Sequence, residues 1–323
     1  LTALAQALAS VQAAPGESAL VAAGEHRRAR AASTQELDFG DGAAAFVVDA
    51  AGACATWLGR GVVTEDFVDH FRAADQEFDY AWEERWIRDE GVLKLVPPAV
   101  SRALADAGVE PSSVRDTLGE KVGEAGAAHA LLMLAHALEE GRPGDIVVAA
   151  QFAQGAEALV FRIGADAGAR RPRRGVTGAL AERREETNYM KFLVFNGLLD
   201  WDKGMRAEKD NKTALTTLHR HSDMILGLVG GRCRETGVVQ FPRTRISVAP
   251  NAPMVDTQEP YKFAERPAVI LSWSADHLTF SMSPPNHYGM IDFEGGGRIY
   301  MDITDVDAGE IDSGAPVRMV FRL

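Results

Sequence analysis

Two cysteines in 323 residues, Cys54 and Cys233, cannot make a disulfide framework. That scarcity suits a reducing, cytoplasmic compartment. Positive charge is also short: 34 Lys and Arg stand against 46 Asp and Glu, a formal net charge of −12. This balance speaks against a general nucleic-acid partner. No apolar run is long enough to span a bilayer, and no charged-then-apolar signal precedes the first helical stretch, so no membrane partner is expected. An initiator Met is missing too. "LTALAQALASVQAA" opens directly in a helical pattern, with Leu1, Leu4, Leu8 and Val11 at helical spacing, as a fragment starting inside a domain would. What is present is ordinary globular material, 46% hydrophobic and 25% charged, long enough for two domains or one large domain with an appendage.

The first half alternates between the two periodicities. "SALVAAG" (18–24) reads as a buried strand, "GDGAAAFVVDA" (40–50) as a strand opened by glycine, and "ACATWLGRGVV" (53–63) as the next. "PPAVSRALADAGV" (97–109) predicts a helix with Pro97 in its first turn, an apolar face of Val96, Val100, Leu104 and Ala107, and Gly108 as cap. The strongest helix is "GEAGAAHALLMLAHALEEGRPGD" (123–145), apolar nearly all round and so expected to be buried on most faces. "DIVVAAQF" and "EALVFRIG" then form a hairpin across "AQGA".

A linker with a basic cluster, "RRPRR" (170–174), leads to a broken helical stretch. Charge runs of this kind are usually solvated, and contact with a phosphate-bearing ligand is the lesser reading. Beyond 232 short, often alternating runs take over: "PAVILSWSA", "HLTFSM", "YGMIDF", "GRIYMDI" and "PVRMVFRL". Five strands with turns such as "EGGGR" suit a small barrel.

Several blocks in this order resemble one family. "LDFGDGAAAFVV" and "GEAGAAHALLMLAHALEEGRPGDIVVAAQFAQGAEALVF" are similar to segments of the thiolase superfamily, in its 3-hydroxy-3-methylglutaryl-CoA synthase-like and ketoacyl synthase III-like branch. "CRETGVVQFPR" and "SPPNHYGMIDFEGGGRIYMDITDVDAGEIDSGAPVRMVFR" resemble the zinc-ribbon and OB-fold module that accompanies such enzymes. The resemblance implies an α/β thiolase-like layered domain over 1–165, lacking its N-terminal half. A linker (166–186), a helical arm (187–231), a degenerate zinc ribbon (232–258) and an all-β OB-fold (259–323) follow.

It further implies acyl-CoA as ligand and carbon–carbon bond formation or cleavage on CoA thioesters, in a homodimer or larger thiolase complex. The alternative is a non-catalytic scaffold or acyl-CoA-binding subunit. The nucleophilic cysteine would stand directly before Leu1, outside this sequence, and Cys54 reads as a small buried hydrophobe. The family's histidine-bearing strand and the helix after it have no counterpart, because "EPSSVRDTLGEKVG" passes from the helix ending near Gly108 to the loop at Gly123 in a few residues; either a segment is missing there or half of the catalytic apparatus is lost.

Glu124 falls where relatives carry an asparagine that hydrogen-bonds the donor thioester. Neutral, it would donate such a bond; ionised, it would act as a base; as a plain helix-start acid it would do neither. His129 lies in the first turn near it, whereas His136 reads as a core histidine. Phe152, Gln154 and Gly155 belong to a turn that supplies an oxyanion donor in relatives. Tyr80 and Trp86 would line an acyl-CoA tunnel or a dimer contact, or simply sit on a solvated amphipathic helix. Asp41 in "GDG" is expected to bond loop backbone, between glycines placed for tight turns.

The ribbon's four thiolate positions read Cys233, Thr236, Ser247 and Ala252. One thiolate and two hydroxyls cannot build tetrahedral zinc, so no zinc and no other cofactor is expected, and "VVQFPRTRI" should persist as a hairpin held by apolar packing.

Overall fold

The computed structural model describes residues 1–110, 115–170, 172, 174–202, 214–250, 254–279, 281, 283–307 and 309–320. Two compact units divide at Leu199 and Asp200.

In the first unit, helix α1 (Thr2–Ala13) precedes strand β1 (Ala19–Glu25), a short helix α2 (Thr34–Asp38) and strand β2 (Gly42–Val48). Strand β3 (Ala55–Val63) follows, then a two-residue ribbon of β4 (His70–Phe71) with β5 (Tyr80–Ala81). A helical run begins with α3 (Glu84–Trp86), widens into a π-helical turn at Ile87–Val92 and continues as α4 (Leu93–Ala107). After α5 (Gly119–Val122) come α6 (Gly126–Glu140), β6 (Ile146–Ala153) and β7 (Gly155–Ile163). The unit closes with α7 (Gly175–Ala181), inside the stretch expected to be a linker, and α8 (Tyr189–Phe195).

These elements stack in layers. β7 is the middle of a sheet ordered β3-β7-β6, and all but one of its residues are buried. α1 and α6 lie between that sheet and the β1–β2 ribbon. There Leu4, Val11, Leu131 and Leu134 meet Val21, Val48, Leu159 and Phe161. Each fully buried side chain of this size contributes about 1.5–3 kcal/mol. α4 covers the other face of the sheet through Ala99, Ala103 and Leu104. Small residues permit that approach. A Cβ at Gly61 would overlap the Ala99 carbonyl, and one at Gly59 would lie 2.7 Å from Ala107 N.

Several expectations need correction. "SALVAAG" forms a strand, but a ribbon covered on one face only: Val21 is buried while Leu20 is 72% exposed. α4 starts at Leu93, so Pro97 is an interior residue. The carbonyls displaced by Pro97 and Pro98 are those of Leu93 and Lys94, at the junction with the π turn, where the hydrogen-bond ladder is already offset. The buried stripe is Leu95, Ala99, Ala103 and Leu104 rather than the face beginning at Val96. Gly108 does cap the helix, at φ 64°. Neither Gly40 nor Gly42 is left-handed. Each is small because another segment approaches: a Cβ at Gly40 would overlap the Val122 carbonyl, and one at Gly42 would sit 2.8 Å from Ala125 Cβ.

The second unit begins with α9 (Leu215–Arg220) and α10 (Ser222–Gly227). Strands β8 (Val229–Cys233), β9 (Val239–Gln240) and β10 (Gln258–Lys262) form one antiparallel sheet, with β8 central. A four-stranded sheet β13-β12-β11-β14 follows, built from β11 (Ala268–Asp276), β12 (Asn286–Phe293), β13 (Arg298–Ile303) and β14 (Pro316–Val317). Phe263 organises the core, with ring contacts to Phe241, Tyr261 and Phe293 at 5.8, 5.2 and 4.8 Å. "VVQFPRTRI" makes no hairpin of its own: only Val239–Gln240 is a strand, it pairs back with β8, and Val239 and Phe241 pack on the apolar core. "HLTFSM" makes no strand among its described residues.

Candidate functional site

The start of α6 is where the segments 37–48 and 123–161 meet. A parallel bridge joins Phe39 to Glu124: Glu124 N–H donates to the Asp38 carbonyl at 2.6 Å, and Gly40 N–H donates to the Glu124 carbonyl at 3.1 Å. The Glu124 carboxylate accepts from Gly126 N–H at 2.9 Å through Oε1, and Oε2 pairs with Arg27. Arg27 is buried, with its guanidinium 3.5 Å from the Phe39 ring centroid and Nη2 3.1 Å from Asp79 Oδ2. Asp41 accepts from Arg27 N–H at 3.0 Å and faces His26 at 2.7 Å, in line with its expected loop-bonding role.

His129 stands one turn into α6. Its Nδ1 accepts from Ala125 N–H at 3.3 Å, which puts the proton of the neutral ring on Nε2. Burial pushes its pKa down, and a hydrogen bond to the Thr117 backbone opposes that shift only in part. The ring is therefore neutral at neutral pH. Ala127 N–H is taken by Glu25 at 3.4 Å. The first amides of the helix are thus each engaged by a side chain of this unit. His136 is buried with Nε2 3.3 Å from Glu140.

The turn residues lie at the tip of the β6–β7 hairpin. Gly155 is buried at φ 88°, where a Cβ would overlap the Val63 carbonyl, and Gln154 is exposed. Phe152 packs on Phe67 at 5.9 Å, and Phe67 meets Trp82 at 5.5 Å. Gly91 in the π turn makes room, since a Cβ there would be 2.6 Å from the Phe152 ring. Tyr80 and Trp86 are not in this cluster: Tyr80 packs on Phe71 with tilted rings at 5.3 Å and is 62% exposed, and Trp86 is half exposed. The two do not share a helix: Tyr80 is on a β-ribbon, while Trp86 stands half exposed in the first turn of the helical run that continues into α4.

Sequence reasoning missed Arg27 and Asp79, and also Glu157. The Glu157 carboxylate is buried, accepts from Thr2 Oγ1 at 2.6 Å and pairs with Arg60 at 2.7 Å. A run of charge directly after an apolar strand, "EHRRAR", was the available signal for Arg27; nothing local marks its partner 52 residues away.

At the ribbon remnant Cys233 is fully covered, and its Sγ lies 3.1 Å from Thr257 Oγ1. The hydroxyls of Thr236 and Thr257, with the Thr236 and Glu235 amides, outweigh burial and hold the thiol at about 6. This donor set does not fit zinc: hydroxyls have replaced the sulfurs, and Ala252 lies outside the described residues. "RRPRR" lies partly outside them too. Because the folded value is depressed below the ordinary ~8.5, the thiolate's contribution to stability is full above that pH and is lost as pH falls through about 6. In a Cys54→Ala background, Thr236→Val with Thr257→Val is expected to move the titration, read by thiolate ultraviolet absorbance, back toward the ordinary value. An unchanged midpoint would contradict the hydroxyl account.

No helix among the described residues is long and apolar enough to cross a membrane. Comparison with curated proteins returns no match. Among solved structures the chain is similar to one described as HMG-CoA synthase complexed with CoA, at 16% identity and TM-score 0.45, over 66% of this chain and 66% of that one. The chain thus spans about two-thirds of that protein's length. MvaS in complex with 3-hydroxy-3-methylglutaryl coenzyme A aligns at 13% identity and TM-score 0.41, over 80% of this chain and 72% of that one. The Ltp2-ChsH2(DUF35) aldolase aligns at 16% identity and TM-score 0.26, over 34% of this chain and 85% of that one. Residues 261–322 match the family of the ChsH2 C-terminal OB-fold domain, so the four-stranded sheet of the second unit is part of an OB-fold similar to that domain.

Proposed function

We propose that the chain handles acyl-CoA, in carbon–carbon bond formation or cleavage on CoA thioesters. The supporting observation is that two sequence blocks resembling thiolase segments, 37–48 and 123–161, converge at the Phe39–Glu124 bridge in a unit followed by an OB-fold. On this reading the acyl-CoA arm runs past the α6 start, where Glu124 and His129 stand, to the hairpin tip at Phe152, Gln154 and Gly155. Tyr80 and Trp86 serve its outer surface or a contact with a second copy, in a zinc-free, cytoplasmic homodimer or larger complex.

A second reading, a non-catalytic acyl-CoA-binding scaffold, is favoured by one observation. The Glu124 carboxylate is already engaged by Arg27 and Gly126 N–H, which leaves it an anchor rather than a base. The experiment is incubation of the full chain with acetyl-CoA and acetoacetyl-CoA, following free CoA. Condensation releases one CoA per bond formed. Turnover supports the enzyme, saturable binding without release supports the scaffold, and neither binding nor release would refute both.

A further inference from the structure

A cavity of about 290 Å³ opens in the second unit beside β13 and β14. Its floor is Ile270 and Ile291, each 2% exposed, and Met301, Ile303, Ile311 and Met319 form half-buried apolar walls. Protein interiors leave few voids larger than a water molecule. Water in an apolar cavity finds too few polar partners, so such a cavity takes an apolar guest instead. The volume lies just below the ~300–1,000 Å³ of sites for drug-sized ligands, so a short chain is the fit.

The mouth decides what that chain carries. Among the described lining residues, Asp302, Asp305 and Glu310 are exposed carboxylates and Arg318 is the one cation. The surrounding stretch, "DITDVDAGEIDSGAPV" (302–317), has five carboxylates and no lysine or arginine. Their field reaches about 8 Å at physiological ionic strength, far enough to act on a group at the mouth. A fatty acid or a CoA thioester would bring an anion there and be repelled. An alkylammonium ion would bring the complementary charge.

We infer that this cavity binds amines carrying a short alkyl chain, the chain lying among the isoleucines and the ammonium at the carboxylates of the mouth. This goes beyond acyl-CoA handling and does not rest on it.

The test is ligand-observed NMR titration of the full chain at neutral pH with propylamine, hexylamine, 1-hexanol and hexanoate. Saturable hexylamine binding is expected, about fourfold tighter for each methylene added after propylamine, the worth of burying one such group. Hexanol should bind about threefold more weakly than hexylamine, and hexanoate at least fivefold more weakly. Glu310→Gln should weaken hexylamine about threefold and leave hexanol unchanged. Ala315→Leu, which fills the cavity from its lining, should weaken both at least fivefold with an unchanged far-ultraviolet circular dichroism spectrum. Glu310 is exposed, so its variant keeps the test decisive if Ala315→Leu does not fold. No saturable hexylamine binding, or equal affinity for propylamine and hexylamine, would overturn the inference. Hexanol or hexanoate binding as tightly as hexylamine, or a folded Ala315→Leu chain that binds as the parent does, would overturn it as well.

Discussion

Arg27→Ala is expected to lower the stability of the first unit by about 3 kcal/mol, at the lower end of the ~3–5 kcal/mol for breaking a buried ion pair. The arginine side chain is 3% exposed, and its loss strips Asp79, 9% exposed, of its closest cation. Arg72 Nη1 stays 3.6 Å from Asp79, which is why the upper end is not reached. Stacking of the guanidinium on Phe39 is lost too. Glu124→Gln should cost less than about 1 kcal/mol, because that partner is 47% exposed. The check is urea unfolding followed by Trp57, Trp82 and Trp86, with Trp201 and Trp273 replaced by Phe. Equal losses for the two variants would contradict the asymmetry. So would an Arg27→Ala chain as stable as the parent.

Gly61→Ala should cost about 3 kcal/mol, the upper part of the range for overpacking a core. The added methyl meets the backbone of α4 at Ala99 and Ala103 rather than a flexible side chain, so a whole helix must lift from the sheet. Gly16→Ala, with nothing within 4 Å, should change stability by less than about 0.5 kcal/mol. The same unfolding measurement decides, and similar values for the two glycines would rule out the close α4–β3 contact.

What was legible in the sequence followed from periodicity and punctuation. Leu131 and Leu134 in a helix apolar nearly all round gave α6 as a buried element, and Gly108 gave the end of α4. The β6–β7 hairpin was legible from its two apolar runs, whereas β8 was not, because Val229–Cys233 follows directly on a helical pattern. The start of α4 was not legible, because Pro97 looks like a first-turn residue unless the π turn before it is known. The exposed face of β1 was hidden for a different reason. An apolar run says that a strand forms, not how many of its faces are covered.

The site was legible in part. Glu124 and His129 do share the start of α6, and Phe152, Gln154 and Gly155 do share one hairpin tip. Their partners were not readable. Arg27 reaches Glu124 and Asp79 only through tertiary packing, and nothing in the sequence says that Tyr80 and Trp86 lie outside the Phe152 cluster.

Isothermal titration of the full chain with acetyl-CoA is the most direct check on acyl-CoA handling. The account predicts saturable binding that free acetate does not reproduce and that survives removal of metal by a chelator. Absence of any binding heat for acetyl-CoA, or binding that requires added zinc, would contradict it.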